Sequence, residues 1–432
     1  MLQTAHKTIA FAKRAEELLK LIRQAKAEQR PEIQKLWCAL LHSAYNERVW
    51  RKYAGEIEAR IIGAAAANEI YARYYVPPAD DIPEERRILA GHQTDLGLEV
   101  FLDRELLSSH LCVTGATGSG KTNFELHVLD QNREKLEWAR FWDIKGEGRR
   151  FPDFWPGESI IFTPQDMPEQ WLEPPLGADP LIYGIGVVSE IRSELVEMHS
   201  ATFSLVWQAW ERVTRGLQPG DPFPSISDFR RILEHEAKVQ NRENLLTAAR
   251  IFLSLETILG RNACVRKAAD ISGRYKIIVF EFIGQDPKIF RLFLGLHFHK
   301  LLMKAQQEEH TASLRALEVI DEAAPICSIE LTARGVENLS SLKRFITQAR
   351  FMGIGLVIGC QNISQIDPFV KNCGTVIAFR TPSVADAIDA AKMLGLPLDA
   401  TEELMRLKPG EAFVRSAGWE QAVRIQTPLF TP

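Results

Sequence analysis

With 432 residues, 46% of them hydrophobic and 25% charged, the chain has ordinary globular composition and room for two or three domains. Collagen-like, disordered and low-complexity classes are excluded. Lys and Arg number 52 against 56 Asp and Glu, a net charge of -4. That excludes a protein that coats nucleic acid by bulk charge, so any contact with DNA must be local.

The charge is uneven along the chain. Residues 1–62 carry 12 Lys/Arg against 7 Asp/Glu, a balance of +5 that leaves -9 for the remainder. Ile9, Ala12, Leu19 and Ile22 recur near helical spacing, Pro31 can start a second helix, and Ile61–Tyr75 reads as a third, Ala-rich one. Residues 1–75 thus read as a helical bundle that packs on the main domain or pairs subunits. A basic membrane- or DNA-binding helix is the alternative. Pro77, Pro78, Asp80, Asp81 and Pro83 mark a linker. The N-terminus has no uninterrupted apolar region of a secretory signal, and no stretch approaches the ~20 apolar residues of a membrane span. The expected location is cytoplasmic, with attachment at the inner membrane only through a partner. Cys38, Cys112, Cys264, Cys327, Cys360 and Cys373 are scattered, without C-x-x-C, and are expected to be buried free thiols in a reducing compartment.

From Leu98 the pattern changes to short runs rich in Val, Ile and Phe: LEVFLD, HLCVTG, ARFWDI, IIFTP, KIIVFEFI, LEVIDE, GLVIGC and TVIAFR. Helical stretches separate them, which predicts an α/β fold with a mostly parallel sheet covered on both faces. Residues 185–270 break the alternation. They hold helical patterns at Ser189–Arg215, Ile226–Glu236 and Glu243–Leu259 and a Pro/Gly turn at Gln218–Pro224. The expected domains are a helical N-terminal region with linker (1–90), a nucleotide-binding domain (91–184 and 271–432) and an all-helical insertion (185–270).

Gly115–Thr122 reads GATGSGKT, matching G-x-x-x-x-G-K-[ST] between a strand and a helix pattern at Asn123–Leu136. The glycines let backbone N–H groups face phosphates, and the helix N-terminus adds its dipole. Gly115, Ala116, Thr117, Gly118, Ser119, Gly120, Lys121, Thr122 and Asn123 are the expected nucleotide-binding residues. Lys121 is expected at the β- and γ-phosphates and the Thr122 hydroxyl at Mg²⁺. ATP and Mg²⁺ are the expected cofactors.

Two further strands end in chemistry. LEVIDE ends in Asp321 and Glu322, placed for a metal-holding carboxylate and a water-polarising one. GLVIGC ends at Gln361, which could orient water and sense the γ-phosphate. Arg350 precedes that strand, too early to share its own subunit's loop easily. It either reaches a neighbour's nucleotide as a finger or serves as a helix-end charge. At the end of ARFWDI come Asp143, then Lys145 and Gly146; the acid either touches the site or the strand next door, or it only shapes a turn with satisfied charges.

Together these residues resemble the FtsK–HerA superfamily of ring-forming DNA-translocating ATPases, and more narrowly the cytosolic motor of conjugative coupling proteins of the TraD/TraG type. The resemblance is carried by His110 and the strand into GATGSGKT, D-x-K-G-E at Asp143–Glu147 and the inserted helical block. VIDEA at Val319–Ala323, R-x-x-G at Arg350–Gly353 and Gln361 complete it, over about residues 95–420. It implies a RecA-like P-loop fold, with Lys121, Glu322, Gln361 and Arg350 as catalytic residues and Thr122 and Asp321 as metal residues. It also implies a hexamer with DNA, single- or double-stranded, in a central channel lined by basic loops. The expected function is an ATP-hydrolysing DNA translocase for conjugative transfer or related DNA processing, with relaxosome, secretion-channel or nuclease proteins as partners. The alternatives are a nucleotide-regulated adaptor and a HerA-like soluble motor working with a nuclease. The sequence departs from coupling proteins in lacking transmembrane helices, and from HerA in having a helical start where a β-barrel stands.

Lys145, Arg149 and Arg150, or Lys343 and Arg344, are candidate pore-loop residues, with ordinary solvated charges as the alternative. His297 and His299 do not share a helix face and no carboxylate partner is apparent, so both are expected to pack in a core or interface. Trp207 and Trp210 are expected in the core of the helical insertion.

Overall fold

The computed structural model describes residues 12, 14–23, 27, 30–43, 46–62, 75–194, 200–217, 221–268, 271, 273–308, 311–327 and 340–431. Strands among them are β1 (Arg87–Gln93), β2 (Glu99–Asp103), β3 (Leu111–Thr114), β4 (Trp138–Asp143), β5 (Ser159–Phe162) and β6 (Ile277–Glu281). There follow β7 (Thr311–Ile320), β8 (Met352–Cys360), β9 (Thr375–Phe379), β10 (Glu411–Ser416) and β11 (Val423–Gln426). The chain divides into two compact units, Met1–Asp103 with Ile377–Leu429, and Arg104–Val376 with Phe430–Pro432.

In the first unit, helices at 14–23, Pro31–His42 and Glu47–Ile62 bury Leu18, Ile22, Ile33, Leu40, Trp50 and Ile57 against one another. Pro31 sits in the first helical turn, where its missing N–H costs no intrahelical bond. The expected helix at Ile61–Tyr75 lies, apart from its two ends, outside the described residues. The strands run β2-β1-β11-β10, all antiparallel. Residues 377–429 therefore group with the N-terminal segment rather than with the phosphate-loop unit. β11 joins β1 through His92↔Gln426 and Gln93↔Ile425, a pairing of chain ends that no local pattern encodes.

The second unit is the mostly parallel α/β fold read from the sequence. Its strands run β3-β8-β7-β4-β6-β5 and every neighbouring pair is parallel. β8 is buried at all nine positions, as a strand covered on both faces must be. The helical run between β5 and β6 begins at Pro180 and comprises Pro180–Glu194, Ser200–Thr214, Ile226–Gln240 and Glu243–Leu259. Ser225 and Asp228 close a capping box on the third of these helices. Trp210 is buried against Phe223 and Phe229, while Trp207 is half-buried.

Two core expectations need correction. His297 does have a carboxylate partner: its Nε2 lies 2.8 Å from Oε1 of Glu318, a fully buried side chain that also accepts from Trp142 Nε1 at 2.7 Å. His299 Nε2 meets the Tyr183 carbonyl at 2.9 Å. The six thiols are free, but Cys38 and Cys264 are exposed. Cys112, Cys327, Cys360 and Cys373 gather in space. The neighbouring Cys360 and burial push Cys112 well above its ordinary value, and burial pushes Cys373 up to about 12, which keeps Cys112 and Cys373 protonated and inert. Among the described residues no helix is long and apolar enough to cross a membrane.

Candidate active site

β3 ends at Thr114, and the loop Gly115–Gly120 turns the chain into the helix Lys121–Asn132. Gly115, Gly118 and Gly120 have φ of 147°, 72° and 120°. A Cβ on Gly118 would meet nothing within 4 Å, so backbone conformation and not space requires glycine there. The buried Lys121 ammonium donates to the carbonyls of Gly115 at 2.7 Å and Ala116 at 3.1 Å, so the loop is wrapped around its own lysine. Burial lowers the Lys121 pKa, and the Glu125 carboxylate opposes that shift. Ser119 Oγ donates to the Ala116 carbonyl at 2.7 Å. Asn123 Oδ1 accepts from the Phe430 N–H at 2.8 Å, so this side chain anchors the C-terminal residues of the unit.

Asp321 and Glu322 follow β7 directly, and Gln361 follows β8. Parallel neighbours bring these ends beside the phosphate loop. Thr122 Oγ1 donates to Asp321 Oδ1 at 3.0 Å. Gln361 Nε2 donates to Glu322 Oε2 at 2.8 Å, and Thr117 Oγ1 donates to Gln361 Oε1 at 3.0 Å. The loop, both carboxylates and the glutamine therefore form one polar cluster.

The sequence reading missed the group that closes this cluster. Lys145, a candidate pore-loop residue by sequence, instead turns inward. Its Nζ stands 3.0 Å from Asp321 Oδ2 and 3.1 Å from Glu322 Oε2. Burial works against its charge, but the Asp321 and Glu322 carboxylates overcome this and hold Lys145 above the ordinary lysine value. Asp143 builds the loop that delivers it. Its Oδ1 accepts from the N–H groups of Lys145 (2.9 Å) and Gly146 (2.7 Å), and its Oδ2 from Gly148 N–H (2.8 Å). Asp143 thus shapes a turn, and the spacing D-x-K-G-E is legible as an aspartate bonding its own loop with glycine at φ 94°.

Glu125 is a second buried member that sequence reasoning did not single out. Burial, and then the Asp321 charge, push its carboxyl well above the ordinary range. Gly359 is required opposite it, because a Cβ there would lie 2.4 Å from the Asp321 carbonyl oxygen and 2.5 Å from Glu125 Oε1.

His110 ties the entry of β3 to its surroundings. Its Nδ1 accepts from Leu356 N–H at 3.2 Å, which leaves Nε2–H to donate to the Ile346 carbonyl at 2.8 Å. Burial lowers its pKa to about 4, so the ring is neutral. Ile346 belongs to the helix Ser340–Gln348, and Arg350 follows that helix, exposed, in the turn Ala349–Phe351. Arg350 is not brought to the cluster. β8 separates it from Gln361, and at ~3.3 Å per residue that strand spans roughly 25–30 Å. Gly353 of R-x-x-G has φ 65°, and a Cβ there would lie 2.3 Å from the Ser313 carbonyl oxygen, at the irregularity where β7 and β8 come into register. Of the other basic candidates, Arg149 is paired through Nε and Nη2 with Glu281 (2.7 and 2.9 Å). Arg150 lies over the Phe154 ring, while Lys343 and Arg344 are exposed.

Residues 99–172 match the family model of the type IV secretion-system coupling protein DNA-binding domain. No curated protein matches the sequence. Among solved structures, VirB4 of Thermoanaerobacter pseudethanolicus is similar at 15% identity, with 81% of this chain and 98% of that one covered and a TM-score of 0.62. The plasmid coupling protein TrwB in complex with a non-hydrolysable GTP analogue is 15% identical over 82% of this chain and 93% of its own, with a TM-score of 0.57. TrwB in complex with ADP and Mg²⁺ is also 15% identical, over 82% and 94%, with a TM-score of 0.56. The shared feature is the RecA-like P-loop NTPase fold.

Proposed function

We propose that this chain, a P-loop protein of the type IV secretion coupling-protein kind, is an ATP-hydrolysing motor that moves DNA through the channel of a ring, most simply a hexamer. The observation that carries the reading is the continuous polar cluster from Thr117 through Gln361, Glu322, Lys145 and Asp321 to Thr122. A site built only to bind nucleotide has no use for Glu322 and Gln361 in contact beside the phosphate loop.

The residues fit a divalent cation. Asp321 is buried and its Oδ2 has the Lys145 ammonium 3.0 Å away, a positive charge standing where a cation would relieve the carboxylates. Thr122 and Asp321 would hold Mg²⁺, which when bound offsets phosphate charge. The loop Gly115–Gly120 presents its N–H groups to the phosphates, and Lys121 leaves the Gly115 and Ala116 carbonyls for them. Glu322 accepts a proton from the attacking water. Gln361 orients that water and, through Thr117, reads the state of the loop. Arg350, at the far end of β8, acts on the nucleotide of a neighbouring subunit. Lys343 and Arg344 are the basic residues left for DNA, and the +5 N-terminal segment for protein partners of a secretion or DNA-processing assembly.

The test is the ATP hydrolysis rate across protein concentration, with and without duplex and single-stranded DNA. A rate that rises cooperatively with concentration and increases with DNA is expected. A slow rate indifferent to both overturns the motor in favour of a nucleotide-regulated adaptor.

A further inference from the structure

The phosphate-loop cluster holds a positive charge that the reaction has not been given. Lys145 Nζ is within 3.0 Å of Asp321 Oδ2 and 3.1 Å of Glu322 Oε2, the two carboxylates on which nucleotide chemistry depends. We infer that Lys145 is a resident counter-cation which occupies the carboxylate pair until a divalent cation arrives with nucleotide, so that this lysine sets how tightly the site takes a metal. The inference rests on the proposed reading of the cluster as an ATP site that uses Mg²⁺.

Two observations support it. The first is electrostatic. Asp321 and Glu322 are both buried, and two carboxylates so close carry a repulsion that water cannot screen. Lys145 relieves it, and a divalent ion would relieve it further. An ammonium and a metal ion beside the same Asp321 carboxylate repel each other where water cannot screen them, so the ammonium must leave when the metal arrives.

The second is mechanical. The loop carrying Lys145 is held by three N–H bonds to Asp143, so its backbone has its own anchor independent of the lysine. The Lys145 side chain is itself 30% exposed. Rotation of four methylenes carries the ammonium out to water without disturbing the loop.

The experiment uses the full chain and Mn²⁺ as a probe, counted by electron paramagnetic resonance without nucleotide. A fluorescent ATP analogue is titrated in parallel, and thermal melting reports folding. The wild type is expected to bind Mn²⁺ weakly. Lys145→Met removes the charge and keeps an unbranched chain one atom shorter, and should bind Mn²⁺ about ten-fold more tightly or better. Lys145→Arg keeps the charge and should stay close to the wild type. Adding Asp321→Asn to Lys145→Met should abolish the gain. Lys145→Gln serves as the neutral variant if Lys145→Met melts early. Nucleotide binding with unchanged or weaker Mn²⁺ affinity in the neutral variant overturns the role of Lys145 alone. Failure of the wild type to bind the ATP analogue at any Mg²⁺ concentration overturns the reading beneath it.

Discussion

Glu322 and Gln361 share a hydrogen bond 39 positions apart in the chain, and each should show a distinct defect when changed. Glu322→Gln keeps the shape and the contact with Gln361 but removes the base. Steady-state kinetics should show hydrolysis reduced on the order of 10²–10⁴-fold while binding of a fluorescent ATP analogue persists. Normal turnover would remove Glu322 from catalysis. His110 predicts an acid weakness. Its folded value of about 4 lies below the unfolded one of 6.5, so the unfolded chain binds more protons between these values. Stability present above pH 6.5 is thus lost as pH falls toward 4, by about 3 kcal/mol at 1.36 kcal/mol per unit. Urea midpoints at pH 7 and 4.5 should differ more in the wild type than in His110→Gln, which cannot titrate.

At this scale the phosphate-loop residues, Asp321, Glu322 and Gln361 were legible because each sits at a strand end with a defined chemistry. Lys145 and Glu125 were not. Lys145 looks like any loop lysine until β4 and β7 are paired, and Glu125 occupies a helix position that reads as solvent-facing.

Among the elements, the helix Pro180–Glu194 is tied to both sides of the site. Glu190 accepts from Ser341 at the start of the helix that leads to Arg350. Glu194 takes Arg291 Nε at 2.6 Å, and Arg291 Nη1 donates to the carbonyl of Pro325, three residues beyond Glu322. Arg291→Met should destabilise the protein by about 3 kcal/mol, because it strands a buried carboxyl and a carbonyl. Protonation of Glu194, whose pKa burial already raises, keeps the loss at the low end. Adding Glu194→Leu should restore much of it in urea unfolding; a purely additive double variant would deny the coupling. The strands β3 to β9 were readable as apolar runs between helices. β1, β10 and β11 were not, since RILAGHQ, EAFVRS and VRIQ are interrupted by polar residues. The contacts of Glu190 and Glu194 join positions 151 and 97 residues apart, beyond any local pattern.

For the whole molecule, Arg350 supplies the decisive prediction. It stands a full strand length from its own cluster, so a catalytic contribution requires a second subunit. Arg350→Ala and Lys121→Ala should each be nearly inactive, and mixing them should restore part of the hydrolysis rate. No recovery at any ratio would exclude a shared site. The motif order carries the resemblance to ring-forming ATPases, whereas the grouping of residues 377–429 with the N-terminal segment is not legible in it, because their pairing with β1 closes a loop over most of the chain.

β8 gives that arrangement a further meaning. From Ile354 to Ile358 it is laddered to β7, and from Val357 to Cys360 to β3, and no residue along it reaches solvent. Such a strand cannot slide without breaking the ladder to β7, the ladder to β3 or, at Val357 and Ile358, both. It acts as a strut, with an arginine that faces outward near one end and a glutamine in contact with Glu322 at the other. In the proposed ring, this one strand would be the path by which a load on the outer end, placed there by an adjoining subunit, is passed to the site at the inner end.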